Sequence, residues 1–243
     1  MVENFSQQLW EPSVGEKRKT DLNPFIEELR RPIKKIINKL REKIDNCEYT
    51  HIIGDDASGR IPALVFRKIL EHVYKTKGKE APKTFFIPGH SPAVSRVKKI
   101  FPTQVEKDTK ILIVTDTIVT GNSLYTLTLT LKEFGIPFDI ATIGIYSPLE
   151  GRNGKNPGDQ YIQEIERALG GDIFYGSYAT PELYEEEGHK LTGVKKDRGA
   201  DISFRLVKQK TDQDMVNKAR KDANILAEEL VAEYEKSVSF END

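Results

Sequence analysis

Between residues 49 and 146, short apolar runs alternate with stretches whose apolar residues recur every three or four positions. Tyr49–Gly54 (YTHIIG), Thr84–Ile87 (TFFI), Ile111–Thr115 (ILIVT) and Phe138–Tyr146 (FDIATIGIY) read as strands, because compact runs of β-branched, aromatic and aliphatic residues bounded by turn formers suit a sheet buried on two sides. Ile61–Tyr74 reads as a helix, with Pro62 early and Ala63, Phe66, Leu70 and Val73 on one face; Ser123–Phe134 reads as another, ending at Gly135. Strand and helix in regular alternation predict an α/β fold: a mostly parallel sheet with helices on both faces.

The flanks add helices. Asn23-Pro24 has the form of an N-cap and a first-turn proline, and Phe25, Leu29, Ile33, Ile36, Leu40 and Ile44 follow at helical spacing, with Pro32 expected to kink or split the helix. After a turn-rich stretch over 147–158, Tyr161–Leu169 gives a short helical pattern stopped by Gly170-Gly171, and Asp172–Tyr175 suits an edge strand. Thr211 with Asp214 three residues on opens a long final helix, whose stripe of Met215, Ala219, Ala223, Leu226, Leu230 and Tyr234 belongs to a core or a dimer contact. Residues 1–20 show no periodicity and read as a flexible arm, which leaves one domain over 21–243, with its core at about 49–180.

Composition changes this picture little. With 37 basic and 38 acidic residues the net charge is -1, so no global field gathers a polyanion and nucleic acid is disfavoured as a partner. The Lys- and Arg-rich stretch 190–210 suits either a solvated surface or an anion site. Cys47 is the single cysteine, which suits a reducing compartment, and the longest aliphatic run, Ile111–Val114, falls far short of the roughly 20 residues a bilayer needs. No signal-peptide pattern opens the chain, so a cytoplasmic, membrane-free protein is expected. Gly89-His90-Ser91-Pro92 fails as a nucleophile elbow because Pro92 has no N–H for an oxyanion hole, and His51, inside a strand, suits a hydrogen-bonded core histidine.

The candidate chemistry lies in Ile111–Ser123 (ILIVTDTIVTGNS): a buried strand, an acid at its carboxyl end, a hydroxyl and glycine loop, then a helix. Open parallel sheets bind ligands beyond the carboxyl ends of their strands. Amides of Val119 to Ser123 can converge on a phosphate monoester at the helix N-terminus, Gly121 permits close approach, and Thr120 and Ser123 add hydroxyl donors. Asp116 can accept from sugar hydroxyls or hold a hydrated cation.

This stretch resembles the 5-phosphoribosyl 1-pyrophosphate (PRPP) motif of the type I phosphoribosyltransferases. The resemblance implies that Asp116 contacts the ribose hydroxyls and that Val119, Thr120, Gly121, Asn122 and Ser123 bind the 5-phosphate. Thr115 stands where the family usually has its first ribose-facing acid, and Val119 is similar to the orotate and adenine branches rather than to the hypoxanthine-guanine type, which has Asp there. Asp55-Asp56-Ala57-Ser58-Gly59-Arg60 occupies the place of the family's pyrophosphate loop, with a non-proline cis peptide expected near Asp56-Ala57 and Arg60 set against the leaving group; the same residues also suit a plain capped turn. Gly89–Asp108 stands where the family has a mobile loop, from which Arg96, Lys98 and Lys99 either reach the pyrophosphate or form a solvated helix face.

The variable hood, which recognises the acceptor, then falls to 21–48 and 147–243, and Tyr146, Tyr175 and Tyr178 serve either as stacking partners for a planar base or as ordinary core and surface tyrosines. The activity implied is magnesium-dependent transfer of the phosphoribosyl group from PRPP to a nucleobase or similar nitrogen acceptor, with magnesium near Asp55, Asp56 and Asp116, in a homodimer. A non-catalytic PRPP or nucleotide sensor, and a structural subunit without ligand, are the alternatives.

Overall fold

A computed structural model describes residues 22–55, 59–87, 93–101, 106–146, 159–178 and 210–239. Five strands, β1 (His51–Asp55), β2 (Lys83–Ile87), β3 (Ile111–Ile118), β4 (Phe138–Ile145) and β5 (Ile173–Ser177), form one sheet in the order β2-β1-β3-β4-β5, parallel throughout. The helices are α1 (Pro24–Glu27), α2 (Arg30–Lys39), α3 (Arg41–Asp45), α4 (Arg60–Thr76), α5 (Ala93–Ile100), α6 (Asn122–Glu133), α7 (Asp159–Leu169) and α8 (Lys210–Ser239). This order is compatible with a Rossmann-like doubly wound arrangement, because the connection from β1 runs outward to β2 while that from β3 runs the other way to β4. The reversal leaves a crevice between the carboxyl ends of β1 and β3.

Alternate strand residues join separate buried clusters. Ile52, Leu112, Val114, Ala141 and Ile143 pack with apolar side chains of α1 to α4 and α8, whereas Ile53, Ile111, Ile113 and Ile140 pack with those of α5, α6 and α7. The stripe predicted on the final helix is core: Ala219, Ala223, Leu226, Leu230 and Tyr234 are buried in the first cluster. Polar contacts lock α8 to the N-terminal helices, since Asn23 N–H donates to Asp222 at 3.1 Å and Lys34 pairs with Glu233 at 2.6 Å. Pro32 splits the first predicted helix, with α1 ending at Glu27 and α2 starting at Arg30.

Several boundaries move from the predicted ones. β1 begins at His51 rather than Tyr49, whose amide donates to the Tyr74 hydroxyl at 2.9 Å instead of to a neighbouring strand, while its own hydroxyl donates to Asp139 at 2.7 Å. β3 continues three residues past Thr115, held by the pairs Thr117↔Gly144 and Ile118↔Ile145 with β4, so Asp116 lies within a strand. Residues 93–100, inside the segment expected as a mobile loop, form helix α5, on which Ala93 and Val97 are buried. His51 is a packed histidine as predicted: its ring stacks 5.9 Å from Phe85 and meets Phe101 edge-on at 5.1 Å, and burial pushes its pKa below the usual imidazole value. Among the described residues no helix is long and apolar enough to cross a membrane.

The amino end of the sheet is closed by charge. Asp139, with its side chain 5% exposed, accepts from Tyr49 and from Lys43 at 2.9 Å, and Lys110 lies 3.1 Å away while also pairing with Glu48 at 2.8 Å. Burial alone would raise the Asp139 pKa, but the bonds from Tyr49, Lys43 and Lys110 outweigh it and hold the carboxyl below the ordinary carboxylate range. A carboxyl depressed in the folded state contributes stability above its unfolded pKa of about 4 and loses it as the pH falls through the folded value. Asp139→Asn is therefore expected to cost about 3 kcal/mol at neutral pH and to flatten the acid limb of stability below about pH 4, as read by urea unfolding across pH.

Candidate functional site

The crevice forms where pairing stops. β1 and β3 pair in register from His51↔Ile111 to Gly54↔Val114 and no further, so the next residues, Asp55 and Thr115, stand side by side at the rim. Both are buried, and Thr115 Oγ1 donates to Asp55 Oδ2 at 3.4 Å. Gly59 closes the turn after β1, its N–H donating to the Asp55 carbonyl at 2.7 Å. A Cβ at Gly59 would lie 2.3 Å from the Val114 carbonyl oxygen and 2.4 Å from the Asp55 nitrogen, so only glycine lets the returning chain lie across the end of β3.

α4 then starts at Arg60, which is exposed and sits 5.7 Å from the Phe86 ring of β2. Room for that ring comes from Gly54, where a Cβ would meet Phe86 at 2.7 Å. Asp56, Ala57 and Ser58, and with them the expected cis peptide, lie outside the described residues.

Asp116 is 7% exposed; its Oδ1 accepts from the Thr117 amide at 2.6 Å and its carbonyl accepts from Thr142 Oγ1 at 3.5 Å. Strand alternation sets its side chain on the opposite side of β3 from Thr115. The chain then turns through Val119 and Thr120, both exposed, into Gly121, whose φ of 76° is left-handed. A Cβ there would only touch Leu169 at 3.4 Å, so conformation rather than space calls for glycine. Gly121 offers no side chain to cap the first turn of α6, and Thr120 Oγ1 accepts from the Asn122 amide at 3.4 Å. Asn122 and Ser123 are exposed at the start of α6. Exposed hydroxyls and amides at a helix N-terminus, with the buried carboxylate of Asp116 just before them, suit a phosphate and the hydroxyls of an attached sugar.

One contributor was not legible in the sequence. The Tyr161 hydroxyl, on α7, donates to the Val119 carbonyl and lies 3.4 Å from the Tyr146 carbonyl, tying the loop to the next layer. Helical periodicity placed Tyr161 on a helix, but nothing in its spacing announced a bond across to residue 119. The Tyr146 amide in turn donates to the Ile118 carbonyl at 2.9 Å, which sets its backbone beside the loop.

Other candidates lie elsewhere. Arg96 donates to the Phe86 carbonyl at 3.2 Å, while Lys98 and Lys99 are exposed in the last turn of α5, on the path from the carboxyl end of β2 toward the amino end of β3. Tyr175 and Tyr178 share a hydroxyl contact of 3.0 Å at the β5 edge, two strands from β3. Among the described residues no three carboxylate, histidine or cysteine side chains gather as a metal cluster.

Comparison with protein-family models, with curated proteins and with solved structures returns no match. The site therefore rests on its own geometry. Gly59→Ala is expected to lower stability by about 1–3 kcal/mol through the clash with Val114 and Asp55, and Gly121→Ala by about 1–2 kcal/mol through its left-handed backbone, both read by urea unfolding.

Proposed function

We propose that the protein is a magnesium-dependent phosphoribosyltransferase that joins the phosphoribosyl group of PRPP to a nitrogen acceptor and releases pyrophosphate. The observation that carries this reading is the crevice at the strand-order reversal, where Asp55, Thr115 and Asp116 adjoin a left-handed glycine loop leading into α6. In this reading the fold is of the type I phosphoribosyltransferase kind with helices on both faces of the sheet, which the two separate buried clusters support.

In the reaction the acceptor nitrogen bonds to C1 of the ribose as the bond from C1 to the pyrophosphate oxygen breaks; the acceptor proton leaves to the pyrophosphate or to solvent. Val119 to Ser123 hold the 5-phosphate, and Asp116 orients the ribose hydroxyls and faces the positive charge that develops on the ring. Gly59 and Arg60, with Asp56, Ala57 and Ser58, receive the leaving pyrophosphate. Asp55, on the neighbouring strand, brings a carboxylate to the side chain of Thr115, where the family usually has an acid.

Magnesium prefers oxygen, keeps several waters and needs only one or two carboxylates beside substrate phosphates, and Asp116, at the start of the loop, would supply one. It would be held there with Asp56 and would neutralise charge on the leaving group. The exposed apolar trio of Val119, Tyr125 and Leu129 is the surface this reading offers to a homodimer.

The Thr115 hydroxyl, in place of a second carboxylate on the same strand, favours one alternative: a sensor that binds PRPP without turnover. Calorimetric titration with PRPP, with and without magnesium, tests both. Binding that needs magnesium and weakens at least about tenfold in Asp116→Asn supports the reading, and pyrophosphate release in an acceptor screen separates enzyme from sensor. Unchanged affinity in Asp116→Asn would remove this residue from the site, and no binding at all would sink the proposal.

A further inference from the structure

α2 carries two rows of cations with different fates. Arg30 and Lys34 face α8, where Arg30 pairs with Glu229 and also with Glu27 of α1, and Lys34 pairs with Glu233. Arg31, Lys35 and Lys39 lie on another side of the helix, all exposed, and among the described residues none has a carboxylate within ion-pairing distance. Four residues separate successive members, so the row climbs about 6 Å per step.

Opposite this row runs β5, the last strand in the order of the described sheet. With Pro32, Tyr175, Gly176, Ser177 and Tyr178 the three cations line a groove of about 640 Å³, within the size range of small-molecule sites. Its floor is fixed, because a Cβ at Gly176 would fall 2.5 Å from Pro32 Cα, which sets the backbones of β5 and α2 in direct contact. Lys39 Nζ donates to the Tyr175 carbonyl at 3.1 Å and sits 3.8 Å over the Tyr175 ring. Burial, and then the neighbouring charge of Lys35, push the Lys39 pKa below the usual lysine value. Among the described residues the groove thus holds like charges with no counter-ion, beside two tyrosine rings.

We propose that this groove binds a nucleoside triphosphate, with the phosphate chain along Arg31, Lys35 and Lys39 and the base stacked on Tyr178. A polyanion supplies the missing counter-charge, and guanidinium and ammonium groups are strong donors to phosphate oxygens. Tyr178 takes the base because Lys39 already covers one face of Tyr175. The groove lies two strand spacings, about 10 Å, from β3, and its occupancy does not depend on the phosphoribosyl reading.

The test is calorimetric titration of the full chain with ATP and GTP in magnesium-free buffer containing chelator, alongside inorganic triphosphate and a short single-stranded oligonucleotide. Nucleotide binding is expected to weaken about tenfold or more in Lys35→Glu and about fivefold or more in Tyr178→Ala, to persist in Tyr178→Phe, and to be unchanged in Asp116→Asn. Inorganic triphosphate should bind more weakly than either nucleotide. Lys35 is exposed, so its variant keeps the fold, which circular dichroism checks. Absence of nucleotide binding, equal affinity for inorganic triphosphate, or full affinity in Lys35→Glu overturns the proposal. Much tighter binding of the oligonucleotide reassigns the groove to single-stranded nucleic acid, and loss of binding in Asp116→Asn moves the nucleotide to the loop after β3 and leaves the groove empty.

Discussion

The ladder between β1 and β3 ends at Gly54 and Val114, and the arrangement at the carboxyl end of the sheet depends on that ending. Had pairing continued, the Val114 carbonyl would not be free to meet the returning chain at Gly59. Because it stops, the turn after β1 folds over the end of β3, and Asp55 comes to rest against Thr115. The connections leave in opposite directions at this point, so among the described residues no helix joins β1 to β3 directly across the opening. Two residues without a β-carbon, Gly54 beside Phe86 and Gly59 beside Val114, permit a close approach that any larger side chain would push apart.

The two ends of the sheet treat charge differently. At the amino end, Asp139 is surrounded by Lys43, Lys110 and Tyr49, and a second carboxylate, Glu48, balances Lys110. That end is saturated and offers little to a ligand. At the carboxyl end the acids accept from a hydroxyl and an amide, Thr115 Oγ1 on Asp55 and the Thr117 N–H on Asp116.

Much of the sheet was legible in the sequence because its strands are short apolar runs such as ILIVT, every residue of which is buried. The loop after β3 was legible for a related reason, since an acid, hydroxyls and a glycine between strand and helix leave few other local structures. Strand ends were less legible. Tyr49 has every propensity for a strand, but its amide is taken by the Tyr74 hydroxyl, and the extension of β3 through Asp116 to Ile118 is imposed by β4. Helix α5 was hidden because its Lys- and Arg-rich stretch reads equally as loop or solvated helix, and only the burial of Ala93 and Val97 decides between them. Tyr161 was invisible as a contributor because its partner is a backbone carbonyl, which carries no trace in the identity of residue 119.

That last bond has a consequence for the growing chain. The loop from Val119 to Ser123 is synthesised well before α7, and the hydroxyl that tethers its carbonyl arrives some forty residues later. As the polypeptide leaves the ribosome, β1 and β3 can pair and α6 can wind, yet the loop between strand and helix lacks its anchor until α7 has emerged and docked. The opening beyond the strands therefore takes its final shape only once α7 is in place, not when its own residues emerge. A nascent chain halted before Tyr161 would hold the sequence of the loop without its tether.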